Sequence, residues 1–179
     1  MNLLKRIKRK IECYEIKRQC FFLKKDGKRT SNFDPSVSIL NPNVKVGNNV
    51  RLYKNVILWG DGPITIDDNV QIGFNTIIYS HMGVHIGKNS IIAGNSYIID
   101  TNHSVEKINI NLENPLGTND SSEKIYIGNY VWVAASCIIG KGSKLNDYCI
   151  IGANSFVNSE IPENAIAVGS PAKVIKYRG

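Results

Sequence analysis

The chain has 179 residues, 42% of them hydrophobic, and a formal net charge of +7. That length suits one domain with a small appendage, and that hydrophobic content excludes disorder throughout. No apolar run reaches the 18 residues a membrane-spanning helix needs, and the opening MNLLKRIKRKIE lacks the apolar stretch of a secretory signal, so a cytoplasmic setting is expected.

Residues 1–35 read as a basic arm. Eleven of the 22 Lys and Arg fall in the first thirty residues against Glu12, Glu15 and Asp26, a local +8 that leaves the rest of the chain near −1. The high pI therefore describes the arm, and the body is close to neutral. Leu4, Ile7, Ile11 and Tyr14 recur at helical spacing, which predicts an amphipathic helix with a basic polar face. Such a helix suits peripheral contact of residues 1–30 with the inner face of an anionic membrane, or packing on a trimer of the chain with its lysines solvated. No nucleic-acid module accompanies the charge, so nucleic acid is not an expected partner.

From Leu40 onward an aliphatic residue recurs every six positions: Leu40, Val46, Leu52, Leu58, then Ile66, Ile72, Ile78, then Ile86, Ile92, Ile98, then Ile127, Val133, Ile139, Leu145, Ile151, Val157. Two positions before each stands a small or β-branched residue (among them Val44, Thr76, Ser90, Cys137 and Cys149), and Gly or Ala often follows. Period six is neither helical nor a simple alternating strand. It predicts short strands joined by tight corners, three hexapeptides to a coil, over residues 36–170. The large aliphatic stacks inside, the small residue packs at the corner, and Gly or Asn tolerates the turn. Cys137 and Cys149 fall on this inward register and are expected to be packing residues, not nucleophiles. Residues 171–179 are left as a tail.

The interruptions share one place. The spacing after Leu58 and after Ile78 is eight, and after Ile98 the series resumes only at Ile127, which leaves 23 extra residues. In a three-sided rotation these three positions lie on the same side of successive coils, so all the decoration falls on one edge, with a long loop over 103–124. Long loops on rigid scaffolds are where binding and catalysis concentrate. This loop opens with Asp100-Thr101-Asn102-His103. Histidine suits general-base work near neutral pH, so His103 is either a base or a loop residue capping a turn. Asp100 is placed with it as a candidate catalytic partner, orienting the imidazole, holding acceptor hydroxyls, or serving the turn. His81, in the insert one coil earlier at the same corner, is a candidate acceptor contact. His85 should point outward along a wall.

The segment IGKNSIIAGNSYIIDTNH, residues 86–103, resembles the catalytic stretch of sugar O-acetyltransferases of the maltose, galactoside and polysaccharide type within the hexapeptide-repeat acyltransferases. The resemblance implies a left-handed parallel β-helix, an all-β fold, and a histidine at the start of the loop that deprotonates the acceptor; His103 matches it. Galactoside-type members carry an Asn thirty residues before that histidine. This chain has Gly73 there, so the role does not transfer, and Asn75, two residues on, is the remaining candidate on the acceptor side.

Residues 125–176, IYIGNYVWVAASCIIGKGSKLNDYCIIGANSFVNSEIPENAIAVGSPAKVIK, resemble the C-terminal stretch of the same family. There CoA lies in a groove between regular coils and a neighbour's loop. The resemblance implies acetyl-CoA as co-substrate, with Ala135, Gly152 and Ala153 allowing close approach of the pantetheine arm. Trp132 would cover the thioester, and Lys173, Lys176 or Arg178 would meet phosphates. Galactoside-type members have a Thr-Lys pair where this chain has Asn158-Ser159. The resemblance also implies a homotrimer with sites between subunits, and surface polysaccharide or lipopolysaccharide biosynthesis as the setting.

Other readings stay beside it. An N-acetyltransferase for a nucleotide-linked amino sugar would share the fold, though the segment before Ser36 is short for the extra domain many such enzymes carry. Serine acetyltransferases have a long helical domain that is missing. A metal hydratase on this fold needs three zinc-binding histidines, and His81, His85 and His103 do not have the spacing, so no metal is expected. A non-catalytic structural β-helix would explain the repeat but neither the loop histidine nor the C-terminal signature.

Overall fold

The computed structural model describes residues 31–103 and 120–179, together with Leu4, Ile7, Lys8, Lys10, Ile11 and Tyr14 of the arm. Those arm residues are helical, and Leu4, Ile7, Ile11 and Tyr14 are exposed. The remainder of the arm, with Cys13 and Cys20, lies outside the described residues.

Each hexapeptide forms a strand of two to four residues, and three strands make one turn of a left-handed parallel β-helix with six turns. Three parallel sheets result, here called faces A, B and C in the order the chain visits them. Face A carries Arg51–Leu52, Gln71–Ile72, Ile91–Ile92 and Trp132–Val133; face B carries Ile57–Gly60, Ile77–Ser80, Tyr97–Ile99 and Ile138–Ile139; face C carries Ile64–Ile66, Val84–Ile86 and Ile125–Ile127.

Inside, the aliphatic residue of each strand lies on the one below. Leu58, Ile78, Ile98 and Ile139 pair successively on face B, as do Ile66, Ile86, Ile127 and Leu145 on face C. All of these are fully buried or nearly so. The small residue two positions earlier is buried as well, including Thr76, Ser90, Ser96, Ser143 and Ser155, whose hydroxyls sit at corners. Ser90 Oγ, for example, donates to the Gly128 carbonyl at 2.8 Å, so its burial leaves no polar atom unpaired.

Corners between faces demand a left-handed residue. Asn49, Asn55, Asn69, Asn75, Asn89 and Asn95 all have φ between 56° and 62°. Asparagine enters that region with less strain than most residues. Its carboxamides also chain from coil to coil: Asn55 Nδ2 donates to Asn75 at 3.0 Å and Asn75 Nδ2 to Asn95 at 3.1 Å.

The repeat begins earlier and ends later than the hexapeptide count alone indicates. Asn32–Phe33 already pairs with Arg51–Leu52, and at the other end Ala172–Tyr177 folds back antiparallel on Ala165–Gly169, so residues 171–179 are not a free tail. Leu40 is a correction. Ile39, not Leu40, lies beneath Leu58, and Ile39 is buried while Leu40 is 50% exposed. The cause is the first corner between faces B and C, residues 40–43, which holds one extra residue. There the buried Asn41 donates to the Gly62 carbonyl at 2.8 Å and accepts from the Asn43 amide at 2.7 Å.

Candidate active site

The decorated edge is the one between faces B and C. Its inserts stack as a second ladder. In the coil of face-B strand Ile57–Gly60 the chain turns at Gly60, whose φ is 108° and where a Cβ would collide with the Ser80 carbonyl. Only glycine fits so close an approach between coils. One coil on, residues 80–83 make the same turn. Two coils on, the chain leaves the prism as a hairpin, in which Thr101–His103 pairs antiparallel with Asp120–Ser122 and His103 lies opposite Asp120. Residues 104–119 of the predicted loop lie outside the described residues.

Asp100 anchors this edge. It is fully buried, and its carboxylate is ringed by the insert of the preceding coil. The amide of His81 donates to Oδ1 at 2.8 Å, and the amides of Met82 and Gly83 donate to Oδ2 at 2.8 and 2.7 Å. Ser80 Oγ lies 3.1 Å from Oδ2. Successive backbone N–H groups curled round an anion form a nest. The Asp100 carbonyl in turn accepts from the amide of Glu123, where the hairpin returns. The Asp100 oxygens are thus engaged by the 80–83 turn, three places before His103.

Two hollows flank the hairpin. On the N-terminal side Trp59, Tyr79, Tyr97, Ile99 and His103 line a trough of about 250 Å³. Trp59 and Tyr79 meet edge to face with centroids 4.9 Å apart. On the C-terminal side Thr101, Asn102, Lys141, Phe156 and Asn158 line an open groove of about 390 Å³. There Lys141 Nζ reaches Ser121 Oγ at 2.5 Å and lies 3.9 Å from Glu123. Apart from His103, neither lining was expected from the sequence. A signal for the first existed: the residues after Leu58 and Ile78 are Trp and Tyr, where a small residue usually follows the inward aliphatic.

The other sequence-derived candidates disperse over three edges. His81 is on the same edge as His103, but its Nδ1 sits 3.1 Å from Asp61 Oδ1, and it does not line the aromatic trough. His85 faces outward on face C, with Nε2 3.0 Å from Asp67 Oδ2. Asn75 is at the corner between faces A and B, its carboxamide held in the asparagine ladder, on a different edge from His103 of the same chain. Ala135, Gly152 and Ala153 share that A–B edge, where the Asn154 amide donates to the Ala135 carbonyl at 3.0 Å. Gly152 has a packing reason of its own, since a Cβ there would meet Val168 at 2.6 Å.

Trp132 stands half exposed on face A between Ile91 and Ile150. Lys173, opposite Val168, ends near the A–B edge. Arg178 does not join this row. Its Nη1 donates to the Tyr148 carbonyl at 3.1 Å and its amide to Asn164, which puts it at the corner between faces C and A. Burial pushes the Cys137 thiol up from its ordinary value and the Cys149 thiol up to about 12, so both are inert protonated packing residues. No group of three metal-ligating side chains occurs among the described residues.

Two family models match the chain, the bacterial transferase hexapeptide (six repeats) over residues 124–159 and the hexapeptide repeat of succinyl-transferase over residues 63–99. With the six-turn helix and the single decorated edge, these show that the chain carries the hexapeptide repeats of bacterial transferases. Among its relatives is the Escherichia coli (strain K12) protein WbbJ, provisionally named a lipopolysaccharide biosynthesis O-acetyl transferase, 34% identical over 66% of this chain and 62% of WbbJ. The galactoside O-acetyltransferase of the same organism is 34% identical over 73% of this chain and 62% of its own length. The chain thus spans somewhat less than two thirds of either relative. Of solved structures, a maltose O-acetyltransferase from Clostridium difficile 630 superposes with a TM-score of 0.60, 22% identity, and coverage of 98% of this chain and 89% of that one. AntD, an N-acyltransferase from Bacillus cereus solved with dTDP and coenzyme A, gives 0.76 with 23% identity, covering 93% and 89%. At those identities the two structures speak to the fold alone.

Proposed function

We propose that this hexapeptide-repeat protein transfers an acetyl group from acetyl-CoA to a sugar hydroxyl, in the building of a surface polysaccharide, with His103 as general base. The observation that carries the reading is the placement of His103: it opens the excursion on the decorated edge, at the mouth of a trough, on a hairpin anchored by the caged Asp100. A neutral imidazole there accepts the proton of an acceptor hydroxyl lying in the trough and later passes it to the departing thiolate. Acetyl-CoA, when bound, supplies the activated thioester. The relatives named for O-acetyl transfer support oxygen as the acceptor atom.

The small residues that suit the pantetheine arm, Ala135, Gly152 and Ala153, are exposed or half exposed on the A–B edge, and His103 is on the B–C edge of the same chain. A donor contacting both sets therefore requires two subunits. A homotrimer in which the A–B edge of one copy faces the B–C edge of the next satisfies this. The outward column Ile57, Ile77, Tyr97, Ile138 and Phe156 on face B, a continuous stripe of aliphatic and aromatic side chains, supports such packing. A monomer in sedimentation equilibrium would overturn that arrangement.

The test of the activity is thiol release from acetyl-CoA with a panel of sugars. Replacing His103 by Ala is expected to lower kcat by roughly 10²–10⁴-fold with the fold intact. An unchanged rate in that variant would remove His103 from the mechanism.

A further inference from the structure

Resting on the transferase reading above, we infer that the acceptor is a glycan of at least two linked sugar rings, held by an aromatic strip that runs down face B from His103 to Trp59. The strip follows from the register. Trp59 lies opposite Tyr79, and Tyr79 opposite Ile99, so the three occupy one outward column on successive coils. Leu40, next to the face-B strand Ser38–Ile39 and bonded through its amide to the Leu58 carbonyl, extends the column one coil further. Tyr97 flanks it. Coils repeat at about 4.8 Å, so from Ile99 to Trp59 the column covers about 10 Å, room for two pyranose rings in line.

The chemistry of the strip selects its occupant. Trp59 is 48% exposed and Leu40 50%, costly apolar surface to leave in water on a wall beside a catalytic candidate. A pyranose presents a face of C–H bonds that lies flat on an aromatic ring, while its hydroxyls point sideways to polar partners. The polar partners are at one end only: Thr101, Asn102 and His103 line the trough where the reacting ring would sit. Among the described residues lining the trough, none is a lysine or arginine, and the acid Asp61 stands on the neighbouring edge paired with His81. A sugar nucleotide would bring a diphosphate and call for cations here. A neutral oligosaccharide does not.

The experiment compares glucose, galactose and N-acetylglucosamine, each with its β-1,4-linked di- and trisaccharide, as acceptors for acetyl-CoA. Wild type, Trp59→Ala and Trp59→Phe are assayed together. The expected result is a kcat/KM about tenfold higher for the preferred disaccharide than for its monosaccharide, a ratio that falls toward one in Trp59→Ala and returns in Trp59→Phe. Binding is read separately in a Trp132→Phe background, where Trp59 is the single tryptophan of the chain. Its fluorescence is expected to respond to the trisaccharide far below the monosaccharide concentration that gives the same change. A ratio near one in wild type, a ratio indifferent to Trp59→Ala, or a change in sedimentation coefficient in Trp59→Ala would overturn the inference, the last by making the strip a subunit interface. Fluorescence response without any acetyl transfer would instead overturn the transferase reading and leave the glycan strip standing. Transfer to monosaccharides with no response at Trp59 would do the reverse.

Discussion

Replacing Asp100 by Ala tests whether the decorated edge is held by one buried carboxylate. The substitution removes the acceptor for three backbone amides, those of His81, Met82 and Gly83, while the Ser80 hydroxyl keeps the Pro63 carbonyl at 3.1 Å, and Asp100 itself has no solvent exposure. Each buried donor left unpaired costs about 1–3 kcal/mol. The cavity left by a carboxyl group has room for about one water, which re-pairs two of the three donors. The net loss, with the third donor unpaired, is then about 2–3 kcal/mol, which for a domain of this size lowers Tm by roughly 7 °C. Asp100→Asn keeps one oxygen for the Oδ2 cluster and gives up the Oδ1 bond from His81, so its cost is nearer 1–2 kcal/mol. Urea unfolding at fixed chain concentration, with thermal melts beside it, gives both values. Kinetics separate positioning from direct chemistry. Because the carboxylate is turned into the 80–83 nest, Asp100→Asn is expected to lower kcat while leaving the pH at half-maximal rate where it is in wild type. A loss below about 1 kcal/mol in the Ala variant would refute the anchor, and a displaced pH profile in the Asn variant would show that Asp100 acts on the imidazole after all.

Two further predictions concern the core. Ile39→Ala is expected to cost about 2–4 kcal/mol and Leu40→Ala less than about 0.5 kcal/mol, because only the former is buried under Leu58; denaturant midpoints that reversed this order would restore the simple six-residue count. Burial holds the Cys149 thiol protonated up to about 12, against an ordinary 9.0, so the folded state binds the extra proton between those values. Its contribution to stability is therefore complete below about pH 9 and declines as pH rises toward 12, and Cys149→Ala is expected to flatten that alkaline decline in pH-dependent melts.

The inward stack was legible in the sequence because one residue in six carries it, and no tertiary context competes with so strict a period. The slip at Leu40 was not legible. Ile39 and Leu40 are adjacent aliphatics, and only the buried Asn41, filling a corner with one extra residue, decides which of them turns inward. Asn75, two residues past the position where the family's Asn would stand, falls before face B by the hexapeptide count, whereas the inserts follow face B, so within one chain it lies on another edge from His103. Asp100 looked like the partner of a histidine three residues on. What the sequence did not carry was the direction of its side chain, which the amides of residues 81–83 set from one coil below. Trp59 and Tyr79 were readable as large residues at a position that often takes Gly or Ala, but their alignment into a strip needed the register of three coils.

Why the chemistry gathers on one edge follows from how the prism tolerates insertion. An extra residue within a strand would turn its inward set outward, since side chains alternate at every position. At a corner, inserted residues bulge outward and the next strand resumes in phase. The pairing of Ile98 with Ile139 across the hairpin is as regular as that of Leu58 with Ile78 across two inserted residues. The core is therefore indifferent to what the B–C edge carries. The edge, in turn, lacks hydrophobic support of its own and must be tied back by polar contacts and close backbone approach, which is the office of Asp100 against the 81–83 amides and of Gly60 against Ser80. On this view the excursion can change acceptor by altering residues on the hairpin and on the outward column at Trp59 and Tyr79, while Asp100 stays fixed, because only Asp100 is answerable to the coil beneath it.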